Sequence, residues 1–183
     1  MDFGAILCHK FAVLNLPKSK KNKLRNSIFV LKSHKFGAHF KKHKMNGKLT
    51  LTMIKPEAVE KGYTGAILKK IQENGFQISA MKMYKLTRDQ VESFYAEHLG
   101  KPFYEGLCNY MCSGPIVAAV LKKENAVADF RTLVGKTDPS EAAEGTIRKE
   151  FAESGSKNAV HGSDSDQSAL KEIGFHFAQT ELF

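Results

Sequence analysis

IVAAVL, residues Ile116–Leu121, runs six apolar residues without a polar break. A strand with one wet face alternates, whereas a continuous apolar run marks a strand covered on both faces, at the centre of a sheet. The segments on either side sort around it. LTLTMI (Leu49–Ile54) alternates Leu49, Leu51 and Met53 with Thr50, Thr52 and Ile54, and reads as a strand. TGAILKKIQENG sets Ile67, Leu68 and Ile71 on one helical face, opposite Lys69, Lys70 and Glu73, and stops at Asn74-Gly75. FQISAMKMYKL (Phe76–Leu86) reads as a second strand. Thr87 and Gln90 form a capping box that opens a helix through Val91, Phe94 and Tyr95, ended by Gly100. Pro102 starts a short helix from Phe103 to Met111, closed by Ser113-Gly114-Pro115.

Beyond the central run, Ala126, Val127, Phe130 and Val134 mark a helix, and residues 135–160 show no period. Ser165 then caps a helix carrying Ala169, Leu170 and Ile173, ended by Gly174, and FHF (Phe175–Phe177) makes the last strand. The predicted order is β-α-β-(αα)-β-α-loop-α-β. Without the extra helices this is an α/β (α+β) fold of ferredoxin-like βαββαβ type: a four-stranded antiparallel sheet, covered by helices, with one long loop. A patternless stretch of that length inside a compact domain points to a functional loop.

Composition narrows the class. With 42% hydrophobic residues and 13 Phe the chain has ample core material. No apolar run approaches the roughly 18 residues of a membrane-spanning helix. The net charge of +9 misleads: residues 1–46 hold 11 Lys and Arg against one acid, while the other 17 bases meet 18 acids. The basicity belongs to an N-terminal extension, so a basic nucleic-acid-binding domain is not indicated. That extension lacks the order of a secretory signal and has a single Arg25, where a mitochondrial presequence favours Arg. Met45 stands just before ordered sequence begins. Residues 1–46 read as a disordered or over-extended start, with a targeting segment and a binding arm as alternatives, and 47–183 as the folded domain. Cys8, Cys108 and Cys112 include no CxxC pair. Reduced thiols in a cytoplasmic protein fit them better than a metal, although Cys108 and Cys112 share a helix face.

VGKTDPS (Val134–Ser140) imitates a phosphate-cradling loop and fails the test. The motif needs a glycine at position 130, which is Phe, and a preceding strand rather than a helix. NAVHGSDS (Asn158–Ser165) holds more. Its His161 has three ordinary readings: a core histidine, a surface residue, or a metal ligand. The context adds a fourth. Gly162 permits close approach of the backbone to a ligand, and Ser163, Asp164 and Ser165 suit a helix start whose amides attract anions. An unperturbed imidazole, with a pKa of about 6.5, is mostly neutral at physiological pH and can attack phosphorus. Lys55, Arg131 and Arg148 are solvated charges on the plain reading. With a divalent metal they would also offset the charge of a triphosphate, which phosphoryl transfer requires.

NAVHGSDS, MIKPEAV (Met53–Val59), KPFYEGLCNYMCSGPIVAAV (Lys101–Val120), RTLVGKTDP (Arg131–Pro139) and GTIRKEF (Gly145–Phe151) together resemble the nucleoside diphosphate kinases, in order and spacing, over 48–183. The resemblance implies ping-pong transfer of the γ-phosphate from a nucleoside triphosphate, mainly ATP, to a nucleoside or deoxynucleoside diphosphate, with Mg2+ held by the nucleotide's phosphates. It implies that His161 is the phosphorylated nucleophile, that Glu172 orients it and that Ser163 supports Glu172. Lys55, Tyr95, Arg131, Thr137, Arg148 and Asn158 match phosphate and ribose contacts, Lys55 and Tyr95 nearest the transferred group. Phe103 matches the aromatic on which the base stacks, bordered by Leu107; on the plain reading Tyr95, Phe103 and Leu107 are helix core. A homo-oligomer, tetramer or hexamer built from dimers, is also implied, and the short C-terminal end leaves that choice open. Many members carry an apolar residue six before the histidine; Gly155 stands there, which implies a weaker base clamp. Rival readings are a nucleic-acid or membrane-surface binder led by the extension, and a catalytically silent family member.

Overall fold

The computed structural model describes residues 47–182, and the expectations for 1–46, Cys8 included, lie outside the described residues. Four strands, β1 (Leu49–Ile54), β2 (Gln77–Lys85), β3 (Pro115–Lys122) and β4 (Val160–Gly162), form one sheet in the order β2-β3-β1-β4. All three pairings are antiparallel. The helices are α1 (Pro56–Glu60), α2 (Thr64–Glu73), α3 (Arg88–Phe94), α4 (Tyr104–Met111), α5 (Ala126–Val134), α6 (Ile147–Phe151) and α7 (Asp166–His176), with 3-10 turns at Ala96–His98 and Gln179–Glu181. With α3, α4 and the terminal α7 set aside, this is the expected βαββαβ frame.

β3 is central, and its alternate residues build two cores. Ile116, Ala118 and Val120 join Leu49, Leu51, Met53, Phe94 and Ile173 on one face. Val117, Ala119 and Leu121 join Ile54, Ile67, Ile71 and Phe130 on the other. Because β1 lies between β3 and β4, its threonines are buried as fully as its leucines. Thr52 Oγ1 meets this burial by donating to the His161 carbonyl, 2.9 Å away. The Thr87–Gln90 capping box is present in both halves.

One expected strand is corrected. Phe175–Phe177 is not strand, and Gly174 does not end the helix: α7 runs on to His176, and the Phe177 N–H still donates to the Ile173 carbonyl at 2.8 Å. Ala169, Ile173, His176 and Phe177 are buried, a helical spacing. Three residues of Phe-x-Phe alternation are too few to separate the two periods. The fourth strand comes earlier, at Val160–Gly162, with His161 at its middle. Two five-residue helices, α1 and α6, carried no readable period; α6 lies inside the stretch 135–160.

Gly162 earns its place in β4 by packing. A Cβ there would sit 2.9 Å from two ring carbons of fully buried Phe130 on α5. The close approach that the glycine permits is therefore to the core, not to a ligand. Gly162→Ala should destabilise the fold by about 1–3 kcal/mol through overpacking. In a Phe130→Leu background the same change should cost less, as denaturant unfolding of the four proteins would show; equal costs in both backgrounds would contradict the packing account.

Candidate active site

Pairing with β1 sets His161 opposite Met53, and so on the face covered by α3 and α7. The next residues lock it there. Ser163 N–H donates to Leu51 O, and Leu51 N–H donates to Ser163 Oγ, both at 3.2 Å. Ser163 Oγ–H in turn donates to Glu172 Oε2 at 2.6 Å, and the same oxygen lies 3.0 Å from His161 Nε2. α7 begins at Ser165, whose Oγ accepts from the Ser168 N–H at 3.1 Å, so Glu172 falls two turns on and leans back to the strand. A carboxylate only accepts, so the imidazole proton sits on Nε2 and the lone pair on Nδ1 is free. Phe94 (ring centroids 5.4 Å) and Tyr95 (6.5 Å) meet the imidazole edge-on.

The chain enters β4 through a tight turn. Val160 N–H donates to Asn158 O at 2.7 Å, and Ala159 between them has φ +61°. This is a γ-turn of the positive-φ kind, which for a residue with a Cβ stores about 1–3 kcal/mol of strain. Its surroundings hold it. Ala159 N–H donates to Glu57 Oε1 at 2.9 Å, and Ala159 O accepts from Lys55 N–H at 2.8 Å. Lys55 Nζ donates to Asn158 Oδ1 at 2.6 Å, while Asn158 Nδ2 donates to Gly155 O at 3.0 Å.

Two cations converge beside the turn. Lys55 is buried, and burial, with the Arg148 charge acting in the same direction and Glu57 opposing, lowers its pKa to about 8. Arg148, on α6, donates to Gly135 O and to Val160 O, each at 3.2 Å. Burial and the nearby Arg131 charge lower its pKa to about 10. The patternless loop thus delivers a guanidinium to the end of β4.

The other predicted residues divide. Tyr95 is buried with an unpartnered hydroxyl, and burial followed by the Glu172 charge raises its pKa. Its ring stacks on His98 (6.1 Å), which meets Phe103 (5.5 Å). Phe103 itself is 55% exposed, unlike a core residue, so an open aromatic face lies two rings on from Tyr95. Arg131 is exposed and within electrostatic reach of Arg148. Leu107 packs against the core, and Thr137 is exposed on the loop; among the described residues no hydrogen bond or ring contact joins either to His161. Ser165 caps α7, and Ser168 and Ser165 hydrogen-bond the Asp164 carboxylate, lowering its pKa. Cys108 and Cys112 are free thiols.

Reading the residues alone missed Glu57 and Phe94. Glu57 adjoins Pro56 and Lys55 in MIKPEAV, a neighbourhood that signals a site, but only burial reveals that its carboxylate serves a backbone amide. Phe94 reads as plain helix core and is that too.

The family model for nucleoside diphosphate kinase matches residues 48–182. A nucleoside diphosphate kinase of Flavobacterium psychrophilum is 54% identical over 134 residues, covering 73% of this chain and 96% of the relative. One of Pasteurella multocida is 53% identical over the same length and coverage. Among solved structures, the nucleoside diphosphate kinase of Aquifex aeolicus aligns with a TM-score of 0.73 at 43% identity, over 74% of this chain and 99% of that one. That of Encephalitozoon cuniculi aligns at 0.72 and 32% identity, over 74% and 92%. A phosphotransferase fold, matched along nearly the whole length of these relatives, places this chain in the nucleoside diphosphate kinase family.

Proposed function

We propose that His161 carries the phosphate in this kinase's reaction. The observation behind the reading is the Ser163–Glu172–His161 relay, which ties the imidazole proton to Nε2. The Nδ1 lone pair attacks the γ-phosphorus of a nucleoside triphosphate, mainly ATP. The bond to the β–γ bridging oxygen breaks, and the diphosphate departs with that electron pair. Glu172 offsets the positive charge left on the ring. A second nucleoside or deoxynucleoside diphosphate then reverses the step, so GTP, UTP and CTP are made by one route. Lys55, Arg148 and Arg131 meet the phosphate charge, Thr137 and Asn158 contact phosphate or ribose, and the Tyr95 hydroxyl faces the transferred group. The base stacks on Phe103 beside Leu107, and stacking asks only for a π-face, so purines and pyrimidines both serve.

Mg2+ carried by the nucleotide's phosphates would supply charge neutralisation beside Lys55 and Arg148. Among the described residues no cluster of three or more His, Cys, Asp or Glu could hold a metal, and in this reading the metal arrives on the phosphates. Residues 47–183 are the kinase domain in this reading and 1–46 an appendage to it. The protein acts in the cytoplasm as a homo-oligomer, a tetramer or hexamer of dimers. No helix among the described residues is long and apolar enough to cross a membrane.

Three outcomes follow from these roles. Labelled ATP with Mg2+ should leave an acid-labile, base-stable label that a diphosphate removes, and His161→Ala should take none; phosphate exchange by that variant would end the reading. Because the free enzyme's Lys55 loses its proton near pH 8, kcat/KM should fall as pH rises through about 8. Lys55→Arg, charged throughout that range, should lack this alkaline limb whatever activity it keeps. A Cβ at Gly155 meets nothing nearer than Asp138 Oδ2 at 4.0 Å, so a larger side chain fits there. Gly155→Val should lower the nucleotide KM by closing the base clamp, and an unchanged KM would discard that idea.

A further inference from the structure

Glu57 is a carboxylate buried beside the reaction centre with no part in the chemistry just described. It is 7% exposed. One oxygen, Oε1, accepts the Ala159 N–H at 2.9 Å, while the other, Oε2, is buried with no hydrogen-bond partner among the described residues. Burying a carboxylate with half of its acceptor capacity unused is costly. A backbone amide alone is a poor return for a full charge, so both the hydrogen bond and the charge call for an account.

The hydrogen bond falls on the γ-turn. Ala159 is the positive-φ residue, and its amide and carbonyl are gripped from one segment: Glu57 takes the N–H and the Lys55 N–H takes the carbonyl. Asn158 precedes that residue and His161 follows two places on, so the turn sets where both stand. The charge falls on Lys55. The groups facing that ammonium are Asn158 Oδ1 at 2.6 Å, the Tyr110 ring at 5.8 Å from its centroid, the Arg148 guanidinium and Glu57. Of these Glu57 alone is an anion, and it opposes what burial and Arg148 do to the lysine.

We infer that Glu57 is a positioning residue of this kinase: it fixes the Asn158–Val160 turn through Oε1 and its negative charge favours the Lys55 ammonium without contact, touching no substrate itself. The inference rests on the reading of His161 as nucleophile. The test therefore carries its own control.

Single-turnover labelling by ATP·Mg2+ and steady-state kinetics would be compared for the wild type, Glu57→Ala, Glu57→Gln and His161→Ala. Labelling of His161→Ala would refute the nucleophile assignment and leave the Glu57 variants to be judged on their own rates. At pH 7, Glu57→Ala should label at least about tenfold more slowly at saturating ATP, as expected when a reacting group is misplaced, with KM changed less than threefold. Glu57→Gln keeps an acceptor for the Ala159 amide and should recover to within threefold of wild type. It lacks the charge, so its alkaline limb in kcat/KM should lie at lower pH than the wild-type limb. Rates of Glu57→Ala within threefold of wild type, equal impairment of both variants, or an unmoved limb in Glu57→Gln would each overturn the inference. If Glu57→Ala does not fold, the limb of Glu57→Gln decides: a shift to lower pH supports the inference, and no shift overturns it.

Discussion

Ser163 Oγ is the atom through which sheet, helix and imidazole are joined. It accepts from the backbone of β1 and donates to Glu172 on α7, and Glu172 faces His161 on β4. Each partner belongs to a different element, so the orientation of the ring is inherited from the packing of the whole domain and not from the loop beside it. A reacting nitrogen must sit within a fraction of an ångström of its target, and rigid elements achieve that better than mobile ones. The edge strand that carries His161 is only three residues long, yet β1 pins its register through Thr52 and through Leu51 with Ser163.

The second requirement is charge. Lys55, Arg148 and Arg131 crowd one another: Arg131 disfavours the cationic form of Arg148, and Arg148 that of Lys55. Alone, these groups repel in a partly dehydrated setting, where interactions are strong. In the proposed reaction a polyanion entering among them would relieve that repulsion, and the free site would hold part of the binding energy in advance. The backbone supplies part of the restraint, since Arg148 is held on two carbonyls and Lys55 on Asn158.

How far this was legible in the sequence depends on the length of each signal. IVAAVL and LTLTMI named the two inner strands because burial on both faces, or alternation, persisted over six residues. β4 did not announce itself: three residues show no period, and Phe175–Phe177 imitated the missing strand. Within the site, His161 stood out by context, but Glu172 was named only through the family resemblance. Its role depends on a contact across 11 positions. Phe103 shows the converse. Helical spacing gave it to the core, whereas it lies open at the start of α4. Exposure is a tertiary property that a one-dimensional pattern cannot record.

The ring of Phe94 that meets the His161 imidazole also meets a second one. His176 is buried on α7, its Nδ1 shares a hydrogen bond with the Tyr84 hydroxyl, and its Nε2 has no partner among the described residues. Burial first, then the His161 and Lys82 charges, lower its pKa from 6.5 to about 3. The unfolded chain therefore takes up a proton that the folded one refuses throughout that interval. Folding free energy drains away on acidification below pH 6.5, by roughly 1 kcal/mol per pH unit from this group, and the loss levels off only near pH 3. The fold thus carries an acid-sensitive seam one aromatic ring away from His161.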